Sequence, residues 1–313
     1  MEWINPYHLQ VASFVLINVI LGVSIYVTLS TGQLSLGNAG FMRIGAYTAA
    51  LLATKFHVPI PLGIAAGALL AGVAGVLVGI PSLRLSGVYL AIATLGFGEV
   101  VRAVAINWES LTGGAVGVAG IPQMGRVILA RSRDLGFSPE SLGIRPNQFI
   151  SLLVFLVLLA ASTLVVAFFL RLARSRVGRA YAAIRLDERA AESAGIPVTY
   201  YKVLAFSQGA MVSGLAGALF AHSTSFISPS DFTYHRAVEI LIFAVFGGSG
   251  HILGPVFGSA LLTTLPEALR AVSHYRYILY GVLVVLMMIF RPQGIVDPPL
   301  LRRLRPGRTG GSA

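Results

Sequence analysis

The sequence predicts an all-α integral membrane protein, a polytopic bundle of about 8–10 transmembrane helices with a broken or re-entrant segment near residues 247–254. Of its 313 residues, 56% are hydrophobic and only 11% are charged, whereas soluble domains carry about 25% charged residues. Apolar runs recur from residue 9 to residue 290, and no polar stretch is long enough to form a soluble domain. Residues 1–313 are therefore expected to form a single transmembrane domain.

Two sets of apolar runs define the predicted helices, since a transmembrane helix needs roughly 20 mainly apolar residues. Six runs reach that length, and they cover residues 9–29, 34–54, 60–80, 86–106, 149–170 and 201–221. Shorter runs follow at 237–246, 255–265 and 277–290, the first two on either side of Gly247-Gly248-Ser249-Gly250. The first run lacks a basic leader and a cleavage site, so it is expected to be retained.

Positive charge predicts the orientation, because short cytoplasmic loops are enriched in Lys and Arg. Seven basic residues lie in the segment 171–202, and a second basic group lies in the tail 291–313. Both segments are expected to be cytoplasmic, which requires the glycine-rich break to join two short crossings or a re-entrant pair. The loop 107–148 and the N-terminus then lie on the extracytoplasmic side, with about nine crossings in total. We attribute the net charge of +11 to this topology and expect no nucleic-acid partner.

Small residues recur at every fourth position in two predicted helices. They are Gly63, Gly67, Ala71, Gly75 and Gly79 in one helix, and Gly209, Ser213, Gly217 and Ala221 in the other. Lipid does not drive helices together, so close packing through small residues is a main source of their association. We interpret both stripes as packing faces inside the bundle, with a subunit interface or a translocation path as the alternative.

The cytoplasmic segment 178–200 predicts a short amphipathic helix over residues 187–195 rather than a linker. Asp187 is suited to the N-cap position and Gly195 to the C′ position, and Pro197 stops the helix beyond it. The helix would present a small apolar face formed by Ala190, Ala191 and Ala194. Because so small a face buries little area on its own, we interpret the segment as a docking surface for a partner. The predicted docking residues are Asp187, Arg189, Glu192 and Gly195.

ATP hydrolysis by this chain is excluded because it lacks a phosphate-binding loop of the form GxxxxGK[ST]. Its only lysines, Lys55 and Lys202, follow Thr54 and Tyr201. The six histidines are scattered singly and cysteine is absent, so neither a metal site nor a cofactor is predicted. No enzymatic motif is present, and no catalytic residue is proposed.

Ionisable side chains at membrane depth are costly, and they mark either pathways or buried pairs. Arg43, Glu99, Arg102 and Glu239 are the candidates. Glu99 and Arg102 are three residues apart, so they share one helix face and are predicted to form an intramembrane charge pair. We interpret this pair as structural, with guidance of a zwitterionic solute as the alternative. Arg43 is expected to pack in the bundle or to snorkel, and Glu239 is expected near an interface.

Two glycine-rich segments are candidates for a translocation path. They contain Gly37, Asn38, Gly40 and Phe41 in the first segment, and Gly247, Gly248, Gly250 and His251 in the second. Non-helical backbone at membrane depth is tolerated where protein or a water cavity covers it, and broken helices can offer amides and carbonyls to a solute at the midplane. The alternative is that these are tight turns that merely permit close packing.

Longer strings give the chain a family resemblance. They are TGQLSLGNAGF from Thr31 with GAY from Gly45, GVYLAIATLGFGE from Gly87, LTGG from Leu111, and FGGSG from Phe246 with GP from Gly254. These strings resemble LivM-type permeases of branched-chain amino-acid importers, over about residues 30–297. The string AAESAGIP from Ala190 looks like the coupling loop of bacterial ABC-importer permeases, although it carries Ala-Ala-Glu in place of Glu-Ala-Ala.

The resemblance implies a multi-pass permease subunit in the bacterial cytoplasmic membrane, with its C-terminus in the cytoplasm. Such a subunit forms half of the translocation path for branched-chain amino acids. The implied partners are a second LivH-type permease, two cytoplasmic ATPase subunits, an extracytoplasmic substrate-binding protein and membrane lipid. Closure of the ATPases would push on the helix at 187–195 and switch the bundle between its two open faces. Permeases of urea and short-amide importers are closely similar, so the solute stays open.

Two other classes fit the residues without the resemblance. A gradient-driven secondary carrier would need intramembrane carboxylates placed for proton or sodium coupling, and Glu99 already has Arg102 nearby. A passive channel would conduct without ATP.

Overall fold

The computed structural model describes residues 6–82, 84–134, 146–268, 278, 281–282, 285–286, 289–290 and 294–295. The first part of the chain forms α1 (Pro6–Leu29), α2 (Asn38–Lys55), α3 (Ile60–Ser82) and α4 (Val88–Asn107). Three short elements follow, namely α5 (Glu109–Thr112), β1 (Val118–Ala119) and α6 (Met124–Asp134). Helices predominate because each one satisfies its backbone hydrogen bonds internally, as a lipid environment requires.

The second part of the chain contains the remaining long helices. Its elements are α7 (Pro146–Arg174), α8 (Arg176–Leu186), α9 (Glu188–Ser193), α10 (Val198–Thr224), β2 (Phe226–Ile227), a 3-10 helix (Pro229–Phe232), α11 (Tyr234–Gly247) and α12 (Leu253–Ala268). The predicted runs up to residue 265 each correspond to one helix. The predicted run 277–290 and the predicted tail 291–313 lie mostly outside the described residues.

Five described helices are long and apolar enough to cross a membrane, namely α1, α3, α4, α7 and α10. Helix α11 has 14 residues, which correspond to about 21 Å at 1.5 Å per residue, less than a hydrocarbon core of about 30 Å. Helix α12 is described from Leu253 to Ala268. The glycine-rich break joins these two helices, and the protein is a multi-pass membrane protein.

Helix α10 lies at the centre of the bundle and packs against α1, α2 and α3. Glycine permits this close approach, since a Cβ added to Gly217 would overlap the carbonyl oxygen of Met42, and one added to Gly45 would overlap the backbone of Gly214. A Cβ on Gly67 would lie 2.6 Å from the carbonyl oxygen of Gly45. The small-residue stripes of α3 and α10 therefore pack inside the chain, as predicted.

The bundle has two distinct ends. At one end, α8 meets the ends of α1 and α7 around a small pocket lined by Tyr26, Phe169 and Tyr181. At the other end, the short elements after α4 meet the end of α10, where β1 and β2 pair antiparallel with Val118 opposite Ile227. These are called the α8–α9 end and the α6 end below.

Helices α2 and α11 begin inside the bundle rather than at either end. Asn38, the first residue of α2, donates from Nδ2 to Ser24 Oγ at 2.8 Å and to Ser213 Oγ at 3.1 Å, and all three side chains are buried. Arg236, in the first turn of α11, donates from Nη2 to Asn18 Oδ1 at 2.5 Å. Asn18 lies midway along α1, so α11 begins near the middle of the bundle.

Candidate functional site

Helix α9 is capped at both ends as the sequence predicted. The Asp187 carboxylate accepts hydrogen bonds at Oδ1 from the N–H groups of Arg189, at 2.8 Å, and Ala190, at 3.0 Å. Gly195 follows the helix with a φ of +79°, a left-handed conformation that glycine adopts without steric cost. These two residues fix where the short helix begins and ends, so its outer face has a defined geometry.

The outward surface of α9 differs from the predicted apolar face in one residue. Ala191 is 4% exposed and packs against the bundle, whereas Leu186, just before the helix, is 88% exposed. The predicted docking residues Arg189 and Glu192 are exposed, as are Ala190 and Ala194. We refer to Leu186, Arg189, Ala190 and Ala194 as the α9 face. It is a compact surface with an unpartnered leucine and a cationic side chain.

Two contacts hold α8 and α9 to the central helix α10. Lys202 forms an ion pair with Glu188 at the start of α9. Tyr181 of α8 donates its hydroxyl to Gln208 Oε1 at 3.0 Å. Burial raises the pKa of Tyr181, so the hydroxyl keeps its proton at neutral pH and the hydrogen bond persists. The ion pair and the hydrogen bond therefore connect both short helices directly to α10.

A third contact joins α8 to the glycine-rich break between α11 and α12. Arg185 donates from Nη1 to the Ser249 carbonyl at 2.6 Å and from Nη2 to Ser249 Oγ at 3.1 Å. The sequence reasoning missed this link, because no local pattern reveals a partner 64 residues away. The contact places the break at the α8–α9 end of the bundle.

The predicted path residues of the second glycine-rich segment lie in this turn. Gly247 and Gly248 are buried and Gly250 is exposed. His251 Nδ1 accepts from the Leu253 N–H at 3.2 Å, and burial lowers the pKa of His251, with the nearby Arg174 cation adding to the effect. The turn lies at one end of the bundle rather than at its midplane. That these residues line the translocation path stays a prediction.

The first glycine-rich segment is enclosed by the bundle. Gly37, Asn38, Gly40 and Phe41 are all buried. A Cβ on Gly40 would lie 2.9 Å from the Cα atom of Gly98. The Phe41 ring packs at 5.0 Å from Phe97 and 5.7 Å from Phe206, centroid to centroid. Within this chain these residues pack α2 against α4 and α10, and their part in the path also stays a prediction.

The predicted charge pair on α4 is present. Arg102 Nη1 lies 3.1 Å from Glu99 Oε2, and each side chain is 41% exposed. The two residues lie in the second half of α4, a helix that is apolar enough to cross a membrane. The pair is therefore neutral as a unit, but it is not enclosed by this chain.

Arg43 lies wholly inside the bundle, with 1% of its surface exposed. Its Nη1 donates to the Gly98 carbonyl at 2.8 Å, and its Nη2 donates to the Phe232 carbonyl and, at 3.4 Å, to the Pro229 carbonyl. The prediction of bundle packing is confirmed and that of snorkelling is wrong, because these carbonyl groups hold the guanidinium inside. Arg43 ties α2 to α4 and to the 3-10 helix that precedes α11.

The sequence reasoning also missed Arg236, one residue before the predicted run 237–246. Arg236 Nη1 donates to Glu239 Oε2 at 2.7 Å, and Nη2 donates to Asn18, whose Nδ2 donates to Thr263 Oγ1 at 2.8 Å. The available signal was the three-residue spacing of Arg236 and Glu239, the same as that of the α4 pair. Glu239 is thus paired near mid-depth, and its predicted interfacial position is wrong.

Candidate metal ligands are not gathered anywhere in the described part of the chain. There, no group of three or more His, Asp or Glu side chains could hold a metal ion. The pairs Glu99–Arg102 and Arg236–Glu239 each join a cation to a carboxylate three residues away on the same helix, whereas the described hydrogen bonds of the buried Arg43 go to backbone carbonyls.

A bundle of apolar helices with ion pairs on α4 and α11 and an exposed, capped helix at one end fits a membrane transport subunit. The chain matches the family described as branched-chain amino acid transport system / permease component over residues 7–290. It belongs to that family.

Curated relatives share most of the chain. It is 37% identical to the high-affinity branched-chain amino acid transport system permease protein LivM of Salmonella typhimurium, over 96% of this chain and 73% of the relative. The LivM protein of Escherichia coli K12 is also 37% identical, over 92% of this chain and 69% of the relative. The LivH permease of the same organism is 28% identical, over 63% of this chain and 61% of the relative. No solved structure matches the chain at a significant level.

Proposed function

We propose that this chain is one of two permease subunits of an ATP-driven importer for branched-chain amino acids. The observation that carries the proposal is the 37% identity to a LivM permease over 96% of the chain. The similarity to a LivH permease supports a related second subunit as the other half of the path. The remaining partners in this proposal are two cytoplasmic ATPases and an extracytoplasmic binding protein that delivers the solute.

The α9 face is the proposed docking surface for an ATPase. The chain has no phosphate-binding loop of its own, so ATP must be hydrolysed elsewhere. The exposed Leu186 and Arg189 offer an apolar and a cationic contact to a partner. Asp187 and Gly195 keep α9 short and fixed, and Glu192 lies exposed on the same helix. This assignment supports a cytoplasmic α8–α9 end and an extracytoplasmic α6 end.

Movement would pass from α9 into the bundle by two routes. One route runs through the Lys202–Glu188 ion pair and the Tyr181 hydroxyl to α10. The other runs through Arg185 to Ser249 and so to the α11–α12 hairpin. Closely packed bundles switch between discrete arrangements rather than deform continuously. A push on α9 would therefore shift whole helices and open one end while closing the other.

The alternative of a gradient-driven carrier is weaker. Glu99 is paired with Arg102 and Glu239 with Arg236. Each of these carboxylates therefore already has a cationic partner in place of a coupling ion.

The test is uptake of labelled L-leucine by vesicles that contain this chain, the second permease, both ATPases and the binding protein. We expect uptake that requires ATP and survives dissipation of ion gradients, with little uptake of labelled urea. Uptake of urea alone would change the solute and leave the mechanism intact. Uptake of leucine without ATP would overturn the importer assignment and favour a carrier or a channel.

A further inference from the structure

An open cleft of about 600 Å³ lies between the first half of α11 and the second half of α12. Pockets for small ligands measure about 300–1,000 Å³, so the cleft is large enough for an amino acid. Its polar wall carries Arg236 and Glu239. The apolar wall comprises Val238 and Ile242, on the same helix as these two charged residues, with Leu262 and Pro266 on α12.

The polar wall lies near the middle of the bundle. Arg236 contacts Asn18, which is midway along α1. The Glu239 side chain is nevertheless 41% exposed and that of Arg236 is 19% exposed. Ionisable groups at membrane depth face a bundle interior or a water-filled cavity rather than lipid. This side of the chain therefore does not face lipid.

Other faces of the bundle expose apolar side chains. The outer face of α3 exposes Leu69 at 59% and Leu77 at 68%, and that of α7 exposes Leu164 at 72% and Phe168 at 54%. Neither α3 nor the segment 151–170 of α7 contains a charged residue. These faces suit lipid, whereas the cleft carries ionisable side chains. The exposed Glu99–Arg102 pair borders the same side of the subunit, because Glu99 lines a small pocket with Thr233 and Tyr234, which also line the cleft.

The cleft offers the groups that a zwitterionic aliphatic amino acid requires. Glu239 can accept hydrogen bonds from an ammonium group at the cleft surface. A guanidinium carries five N–H donors, and the described bonds of Arg236 use two of its nitrogens, Nη1 for Glu239 and Nη2 for Asn18. Its free donors can bind a carboxylate bidentately or singly. The apolar wall is placed to receive a branched side chain.

We propose that this cleft is where the chain contacts the transported amino acid, as a transit site with Glu239 facing the ammonium, Arg236 the carboxylate and Val238 the side chain. The proposal rests on the proposed function and assigns residues to it. The contact of Arg185 with Ser249 joins α8 to the turn of the same hairpin. ATP-driven movement of α9 would thus reposition the walls of the cleft.

The first test uses the natural absence of cysteine. Val238→Cys places a thiol in the cleft, and Leu77→Cys is the matched control on the outer face of α3. Both are studied in the complete complex with a charged, water-soluble methanethiosulfonate reagent. We expect Val238→Cys to be labelled at least tenfold faster than Leu77→Cys, and leucine-loaded binding protein with ATP to slow its labelling severalfold.

The second test separates solute contact from assembly. Glu239→Gln is expected to lower ATP-dependent leucine uptake at least tenfold while the complex still assembles and hydrolyses ATP. Glu109→Gln, which removes an exposed carboxylate on α5, is the control and is expected to keep uptake within twofold.

The outcomes distinguish the two proposals. Absence of ATP-dependent leucine uptake by the unmodified complex would mean that the proposed function itself fails. If that uptake is present but Val238→Cys stays unlabelled, the cleft is covered by the second permease and the transit site is wrong. Labelling that is insensitive to leucine, or Glu239→Gln with full uptake, would equally overturn the transit site.

Discussion

Arg43 shows how single residues decide the stability of this bundle. A guanidinium that is 1% exposed would be unfavourable in lipid, but it lies among the carbonyl groups of Gly98, Pro229 and Phe232. From the sequence, its membrane depth could be predicted but not its partners, because Pro229 and Phe232 are 186 and 189 residues away. The buried guanidinium therefore links segments that lie far apart in the sequence.

Replacing Arg43 with Ala should destabilise the protein strongly. Buried acceptors left unpaired cost about 1–3 kcal/mol each and the removed side chain leaves a cavity that adds to the loss, so the total is expected to reach about 3 kcal/mol. Unfolding in mixed micelles, with SDS as denaturant, measures the free energy. Arg189→Ala, on the exposed α9 face, is the control and should stay within about 0.5 kcal/mol. Equal stability of the two variants would contradict this account of Arg43.

Glycines in the bundle should differ sharply in their tolerance of a methyl group. Gly217→Ala would bring a Cβ into the Met42 carbonyl oxygen, whereas a Cβ on Gly96 would meet nothing within 4 Å. Overpacking of this kind costs about 1–3 kcal/mol, while alanine at an unhindered helical position is neutral or slightly stabilising. The same unfolding assay compares Gly217→Ala with Gly96→Ala. A tolerant Gly217 would mean that α2 and α10 can move apart.

At the scale of elements, helix boundaries depart from the sequence prediction where a tertiary contact replaces a helical hydrogen bond. The run 34–54 predicted a helix that begins four residues before the observed α2. The Leu36 N–H instead donates to Thr94 Oγ1 at 2.9 Å, and this contact across the bundle has no signal in the local sequence. Helix α9 was predictable because its Asp and Gly caps are local.

The N-cap at Asp187 should be essential to the stability of helix α9. Asp187→Ala removes the acceptor for two backbone N–H groups and should cost about 0.5–2 kcal/mol of local stability. Amide hydrogen exchange in the segment 188–196 should then accelerate about 2- to 30-fold. Asp187→Asn keeps an acceptor oxygen and should behave almost as the parent protein. If Asp187→Ala exchanges at the parent rate, the cap does not hold α9.

At the scale of the whole molecule, the sequence predicted that the basic segment 171–202 and the loop 107–148 lie at opposite ends of a helix bundle, and the described parts of both segments do lie at opposite ends. Basic residues of the segment 171–202 cluster around α8 and α9, whereas the loop after α4 folds onto the end of α10 through β1 and β2. The arrangement of the helices around α10 was not predictable, because a four-residue stripe shows that a face packs closely but not which helix it meets. The cleft escaped prediction for the same reason.

The two ends should react with impermeant reagents from opposite sides of the membrane. Ala194→Cys lies on the α9 face, and Val116→Cys lies at the α6 end, where Val116 is 78% exposed. In intact cells an impermeant maleimide should label Val116→Cys and spare Ala194→Cys, which should react only in inverted vesicles. Labelling of both from the same side would contradict the proposed orientation.

The most direct test of the central claim is crosslinking from α9 in the complete, transporting complex. A benzophenone maleimide attached to Ala190→Cys should form an adduct with an ATPase subunit on illumination. The same reagent on Val116→Cys, at the opposite end of the bundle, should form none. An ATPase adduct from Ala190→Cys alone would identify the α9 face as the surface through which ATP hydrolysis drives transport. Absence of that adduct in a complex with ATP-dependent uptake would contradict the claim.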